Sequence, residues 1–132
     1  MKLNWNSRLS SYVSARLGAL LRYDRVGSDE QRTLARAMNA LPVYFDFSGA
    51  LGFTPDGTVL HHDLESRQTT AMTDERWIVI AAVSAAEKYP DLREMLPDKP
   101  PTAKTCTLCS GTGRQLEIKA FCGNCAGLGW VS

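Results

Sequence analysis

Cys106-Thr-Leu-Cys109-Ser-Gly111-Thr-Gly113 recurs sixteen residues on as Cys122-Gly-Asn-Cys125-Ala-Gly127-Leu-Gly129, two copies of Cys-x-x-Cys-x-Gly-x-Gly in one chain. Two thiolates three residues apart can grip one metal ion from a single tight turn. Two such turns supply the four soft ligands, at about 2.3 Å, that tetrahedral zinc takes. The glycines answer a steric need, because the chain leaving each turn must fold back with φ > 0 beside a bulky metal centre. A closed set of four protein ligands leaves no open position. The chemistry expected of Cys106, Cys109, Cys122 and Cys125 is therefore structural, with one zinc per chain. Cys122-Gly-Asn-Cys125 also has the spacing of a disulfide oxidoreductase, but such enzymes use one pair on a βαβ scaffold and this chain has two pairs with glycines behind each. Iron or an iron–sulfur centre would use the same four thiolates, and zinc is preferred to both alternatives.

Other residues could carry chemistry. His61, His62 and Asp63 stand together, with Asp46, Asp56 and Glu65 close in sequence, and an acid–base site could be built from them. Adjacent residues on a strand face opposite ways, so His61 and His62 do not readily serve one pocket, and a solvated turn is the expected setting. Gly49-Ala-Leu-Gly52 lacks the Gly-Lys-Ser/Thr of a nucleotide loop. Ser7, Ser10, Ser11 and Ser14 have no partnering base and form a polar helix face. Trp5, Trp77 and Trp130 read as core or interface residues, Trp130 being the one beside the cysteines.

Over residues 106–130 the sequence resembles the cysteine-rich zinc finger of DnaJ-type co-chaperones, whose mark is this Cys-x-x-Cys-x-Gly-x-Gly unit. That family carries four units and two zincs; two units make half of such a finger, with a single zinc. The His-Pro-Asp tripeptide and the glycine- and phenylalanine-rich linker of the family are absent, and residues 1–100 do not look like its ATPase-activating helical domain. What the resemblance implies is a zinc-stabilised module for binding other proteins, with a preference for exposed apolar segments.

The elements that must position this module are legible in the apolar spacing. Leu9, Tyr12, Val13, Leu17, Leu20 and Leu21 recur every three or four residues and predict an amphipathic helix over about 8–23. Ser28 followed by Gln31 is a capping-box pattern; with Asp29 and Glu30 behind it, a second helix over about 29–40 follows, ended by Pro42. Val43-Tyr-Phe-Asp-Phe47, the turn Thr54-Pro-Asp-Gly57 and Thr58-Val-Leu60 predict a β-hairpin or short sheet over about 43–70, with Gly49 and Gly52 marking a bend or bulge. Thr73 is the expected N-cap of a central helix running to about Lys88, and Pro90 opens a helical turn through Met95. Pro97-Asp-Lys-Pro-Pro-Thr102 is a stiff polar connector. Between the cysteine pairs, Gln115 to Ala120 alternates polar and apolar as one strand of a small hairpin would.

A chain of 132 residues, 44% hydrophobic and 22% charged, has room for one soluble domain and a small appendage. The formal charge of +1 offers no excess for nucleic acid or an anionic membrane, and four thiolates around one Zn²⁺ would take it to −1. The uncharged, strongly apolar run Trp77 to Ala86 is far shorter than the roughly 20 residues of a spanning helix. The N-terminus lacks the apolar core of a secretion signal and the cysteines are paired rather than spread, so a cytoplasmic protein is expected. Together these predict an α+β fold: a helical and antiparallel-sheet body over 1–96, a proline-rich connector over 97–105 and a four-cysteine zinc hairpin over 106–132. The expected function is non-enzymatic recognition of another protein, with Phe121, Trp130, Leu116 and Ile118 as candidate contacts. The alternatives are a small toxin-inhibiting immunity protein, an enzyme using His61 or His62, and a nucleic-acid binder using Lys104, Arg114 and Lys119.

Overall fold

The computed structural model describes residues 2–22, 26–46, 48–115 and 120–132. Helix α1 (Ser7–Arg22) buries Leu9, Val13, Leu17 and Leu20, the stripe its spacing predicts. Helix α2 (Asp29–Met38) begins with the predicted capping box: the Gln31 amide donates to the Ser28 hydroxyl and the Ser28 amide to the Gln31 side chain. Its end is set not by Pro42 but by Asn39, whose left-handed φ of 49° reverses the chain. Pro42 instead lies inside the first strand.

Strands β1 (Leu41–Phe45), β2 (Gly49–Phe53), β3 (Val59–Asp63) and β4 (Thr69–Ala71) form one antiparallel sheet in sequence order. Register puts Leu41, Tyr44, Leu51, Phe53, Val59 and His61 on one face and Ala50, Gly52, Leu60 and His62 on the other. The first face joins α1 and α3 (Glu75–Lys88) in the main core, and the second meets Leu34 and Met38 of α2. With helices on both faces, every residue of β2 is buried. The expected irregularity falls on β1, where the register shifts between Pro42 and Tyr44, rather than at the glycines. Gly52 serves close approach, since a Cβ there would lie 2.9 Å from the Leu41 carbonyl and 3.0 Å from the Met38 methyl.

Helix α3 is capped by Asp74, whose carboxylate accepts from the Arg76 amide; Thr73 lies one residue outside. Residues Val79 to Ala86 are all buried, and the Ser84 hydroxyl donates to the Val43 carbonyl, tying α3 to β1 where the bulge has freed that acceptor. A 3-10 turn (Pro90–Met95) closes the body, buries Leu92 and Met95, and receives the N-terminal segment through the Asn4 amide on the Met95 carbonyl. His61, His62 and Asp63 belong to β3, not to a solvated turn. Among the described residues no helix is long and apolar enough to cross a membrane. The architecture is α+β, with a four-cysteine cluster among small strands at the C-terminal end.

Candidate metal centre

Four two-residue strands frame the cysteines: β5 (Lys104–Thr105) pairs with β8 (Trp130–Val131), and β6 (Arg114–Gln115) pairs with β7 (Ala120–Phe121). The expected hairpin strand over 115–120 is described only at its ends, and Leu116, Ile118 and Lys119 lie outside the described residues. Between these pairs the two repeats interlock by the same contacts run in opposite directions. The Cys106 amide donates to the Gly129 carbonyl at 3.0 Å and the Cys122 amide to the Gly113 carbonyl at 2.9 Å. In each repeat the chain turns through three left-handed residues, Ser110, Gly111 and Gly113 in one and Ala126, Gly127 and Gly129 in the other. That path aims the last glycine's amide at a sulfur: Gly113 donates to Cys109 at 3.2 Å and Gly129 to Cys125 at 3.3 Å. A Cβ on Gly113 would sit 2.5 Å from the Gly127 carbonyl, and one on Gly129 would sit 2.5 Å from the Gly111 carbonyl. Both repeats therefore need glycine at the final position, for conformation and for space.

All four cysteines are buried and reduced, and their sulfurs lie within 4.8 Å of one another. Cys106 and Cys122 are 3.8 Å apart, and Cys109 and Cys125 are 3.7 Å apart. A regular tetrahedron with metal–sulfur bonds of about 2.3 Å has edges of roughly 3.8 Å, so these separations fit one ion held by all four. The surroundings favour thiolate unevenly. The Asn124 side-chain amide, donating to the Cys106 sulfur at 3.4 Å, holds that thiol down at about 6. Burial pushes the Cys125 thiol up to about 12. Four buried sulfurs that must all be thiolates require a cation among them, and the amides of Gly113, Gly129 and Asn124 spread the remaining charge. The donor set and its closed geometry suit zinc in a structural role.

The module is packed onto the body. Ala126, Phe121 and Leu128 meet Val79, Ile80 and Val83 of α3, and the Phe121 ring lies 5.8 Å from Tyr44, which in turn lies 5.9 Å from Trp77. Arg114 lies over the Phe121 ring at 3.9 Å and pairs with Glu87 of α3 at 2.5 Å. Of the candidate partner contacts, Phe121 is thus half-buried against the body, while Trp130 is half-buried on a groove of about 720 Å³. Of the basic residues, Lys104 is exposed and Arg114 is engaged by Glu87.

The histidines diverge as strand alternation requires. His62 is buried on the α2 side with Nδ1 at 2.9 Å from the Thr69 hydroxyl, and His61 lines a separate small cavity beside Trp77. The Asp63 carboxylate accepts from the Glu65 and Ser66 amides. Asn124, Ala126 and Tyr44 are contributors that the sequence pattern did not single out. The one trace of the first two is the mismatch between repeats, where Asn124 replaces Leu108 and Ala126 replaces Ser110. No family model matches the chain, and no curated protein or solved structure matches it significantly.

Proposed function

We propose that the protein is a non-enzymatic zinc protein that recognises another protein, and that its metal centre fixes one wall of the recognition surface. The observation that carries this is the groove of about 720 Å³ between the second cysteine turn and α3. Gly123 to Ala126 supply the metal-held wall, the α3 residues Glu75, Arg76 and Val79 the opposite one, and Asp98 and Pro100 border it from the connector. Trp130 offers a large aromatic surface to that groove, the kind of side chain that anchors protein interfaces. The two Cys-x-x-Cys-x-Gly-x-Gly repeats support the likeness to half of a DnaJ-type finger with a single zinc, and with it a preference for apolar peptide segments.

The division of labour between two aromatics tests the proposal. Phe121 is spent on docking and Trp130 on contact. A partner recovered by pull-down would be titrated directly against Trp130→Ala and Phe121→Ala. Trp130→Ala should bind the partner at least about tenfold more weakly at unchanged melting temperature, since truncating an anchor costs roughly 2 kcal/mol or more. Phe121→Ala should melt earlier. Undiminished binding by a folded Trp130→Ala protein would remove the groove from the account.

A further inference from the structure

Beside Tyr44 lies a cavity of about 180 Å³. The Tyr44 and Trp77 rings, tilted by 53° with centroids 5.9 Å apart, line it together with Leu51 and Met72. Asp46 and His61 also line it. Among the described residues no lysine or arginine lines it. Asp46 stands at the end of β1, exposed, with one carboxylate oxygen accepting from the Ser48 amide and hydroxyl and from the Gly49 amide. Those bonds fix the carboxylate without neutralising it, and none of the ion pairs among the described residues uses it. Its field reaches the aromatic wall: burial first, and then the charge of Asp46, hold the Tyr44 hydroxyl above its ordinary range.

Three classes of ligand can be weighed against this lining. An anion would meet a carboxylate and no fixed cation. A metal ion would need several hard ligands, and among the described residues the groups able to hold one reduce to the four cysteines. A weakly hydrated organic cation would meet two aromatic side chains, the polarisable side chain of Met72 and one negative charge, each of them attractive. The volume suits a small head group, because a cavity of roughly 150 Å³ is enough for benzene. We propose that this cavity binds a methylated ammonium group, with Tyr44 and Trp77 as the aromatic walls and Asp46 as the counter-charge. The site is separate from the metal centre and does not rest on the recognition function proposed above. It adjoins the metal module at Tyr44, whose ring lies 5.8 Å from that of Phe121.

The test is a titration of the full chain with tetramethylammonium chloride at pH 8, against sodium chloride at matched ionic strength, followed through the Trp77 indole and His61 ring resonances. Saturable shifts confined to the cavity residues, with a Kd on the order of 1 mM, are expected. Choline and free trimethyl-lysine distinguish a free metabolite from a modified side chain as the source of the group; whichever binds tighter names it. The neutral carbon isostere of choline, 3,3-dimethyl-1-butanol, should bind at least about fivefold more weakly than choline. Asp46→Asn retains the oxygen that accepts from Ser48 and Gly49, and should weaken binding by roughly threefold to tenfold at unchanged fold. Trp77→Leu, checked by melting, should weaken it by about tenfold. Absence of saturable shifts, equal binding of the neutral isostere, or an Asp46→Asn protein that binds as the parent does would each overturn the proposal.

Discussion

Replacing Gly113 by alanine isolates what the cysteine repeat requires of its backbone. Gly113 has φ of 77°, a conformation that costs an L-residue about 1–2 kcal/mol. Its new Cβ would also lie 2.5 Å from the Gly127 carbonyl oxygen and 3.0 Å from its carbon, both main-chain atoms of the opposite turn that cannot swing aside. Separating the turns to relieve this would stretch the two bonds that join them, from the Cys122 amide to the Gly113 carbonyl and from the Cys106 amide to the Gly129 carbonyl. Strain and displaced bonds together amount to about 3 kcal/mol, or a hundredfold in metal affinity where metal binding and module folding are one event. Gly129→Ala should match it, because its Cβ meets the Gly111 carbonyl at the same 2.5 Å. Gly123→Ala is the internal control: nothing lies within 4 Å of its Cβ and its φ is not left-handed, so zinc affinity should stay within about twofold. Competition against a zinc chelator of known affinity measures all three. Gly113→Ala binding within threefold of the parent, or Gly123→Ala falling as far as Gly113→Ala, would refute the interlocked-turn geometry.

Three further outcomes follow from the body. Ser84→Ala should destabilise by about 1–3 kcal/mol in a denaturant titration, because it strands the Val43 carbonyl that the buried hydroxyl satisfies. A chain ending at Lys99 should still melt cooperatively, since the main core is built from the helices and the sheet, but at a lower temperature, because Val79, Ile80 and Val83 lose the cover of Phe121, Ala126 and Leu128. Hydrogen bonds to Asp63 from Ser66 and Glu65, and to Asp56 from Thr54 and Thr58, depress both carboxyl groups. A depressed folded pKa means the unfolded chain binds more protons. Their contribution is therefore present above about pH 4 and lost as the pH falls below it, and Asp63→Asn with Asp56→Asn should flatten the acid limb of a stability-against-pH curve.

How much of this was legible depended on whether a signal is local. The α1 stripe, the capping box at Ser28 and Gln31, the turn at Pro55 to Gly57 and each closely spaced cysteine pair rest on local spacing; the first three stand in the structure, and the two pairs meet there in one cluster. The sheet was only half visible. Gly49-Ala-Leu-Gly-Phe53 shows no polar alternation because helices cover both its faces, so it read as a bend rather than as a buried strand. His62 looked solvated for a related reason: its burial comes from α2 lying over β3 and its bond from Thr69 across the sheet, neither of which neighbouring residues announce. The seat of the metal module on α3 is likewise a long-range fact. Phe121, Ala126 and Leu128 are unremarkable in sequence until Val79, Ile80 and Val83 are brought against them.

The central claim is that one zinc ion is held by four sulfurs and nothing else, and X-ray absorption at the zinc edge on metal-quantified protein tests it most directly. One zinc per chain with four sulfur neighbours at about 2.3 Å is expected. Those neighbours are Cys106, Cys109, Cys122 and Cys125. A nitrogen or oxygen in the first coordination sphere, or a stoichiometry near two or near zero in protein prepared with zinc present, would contradict it.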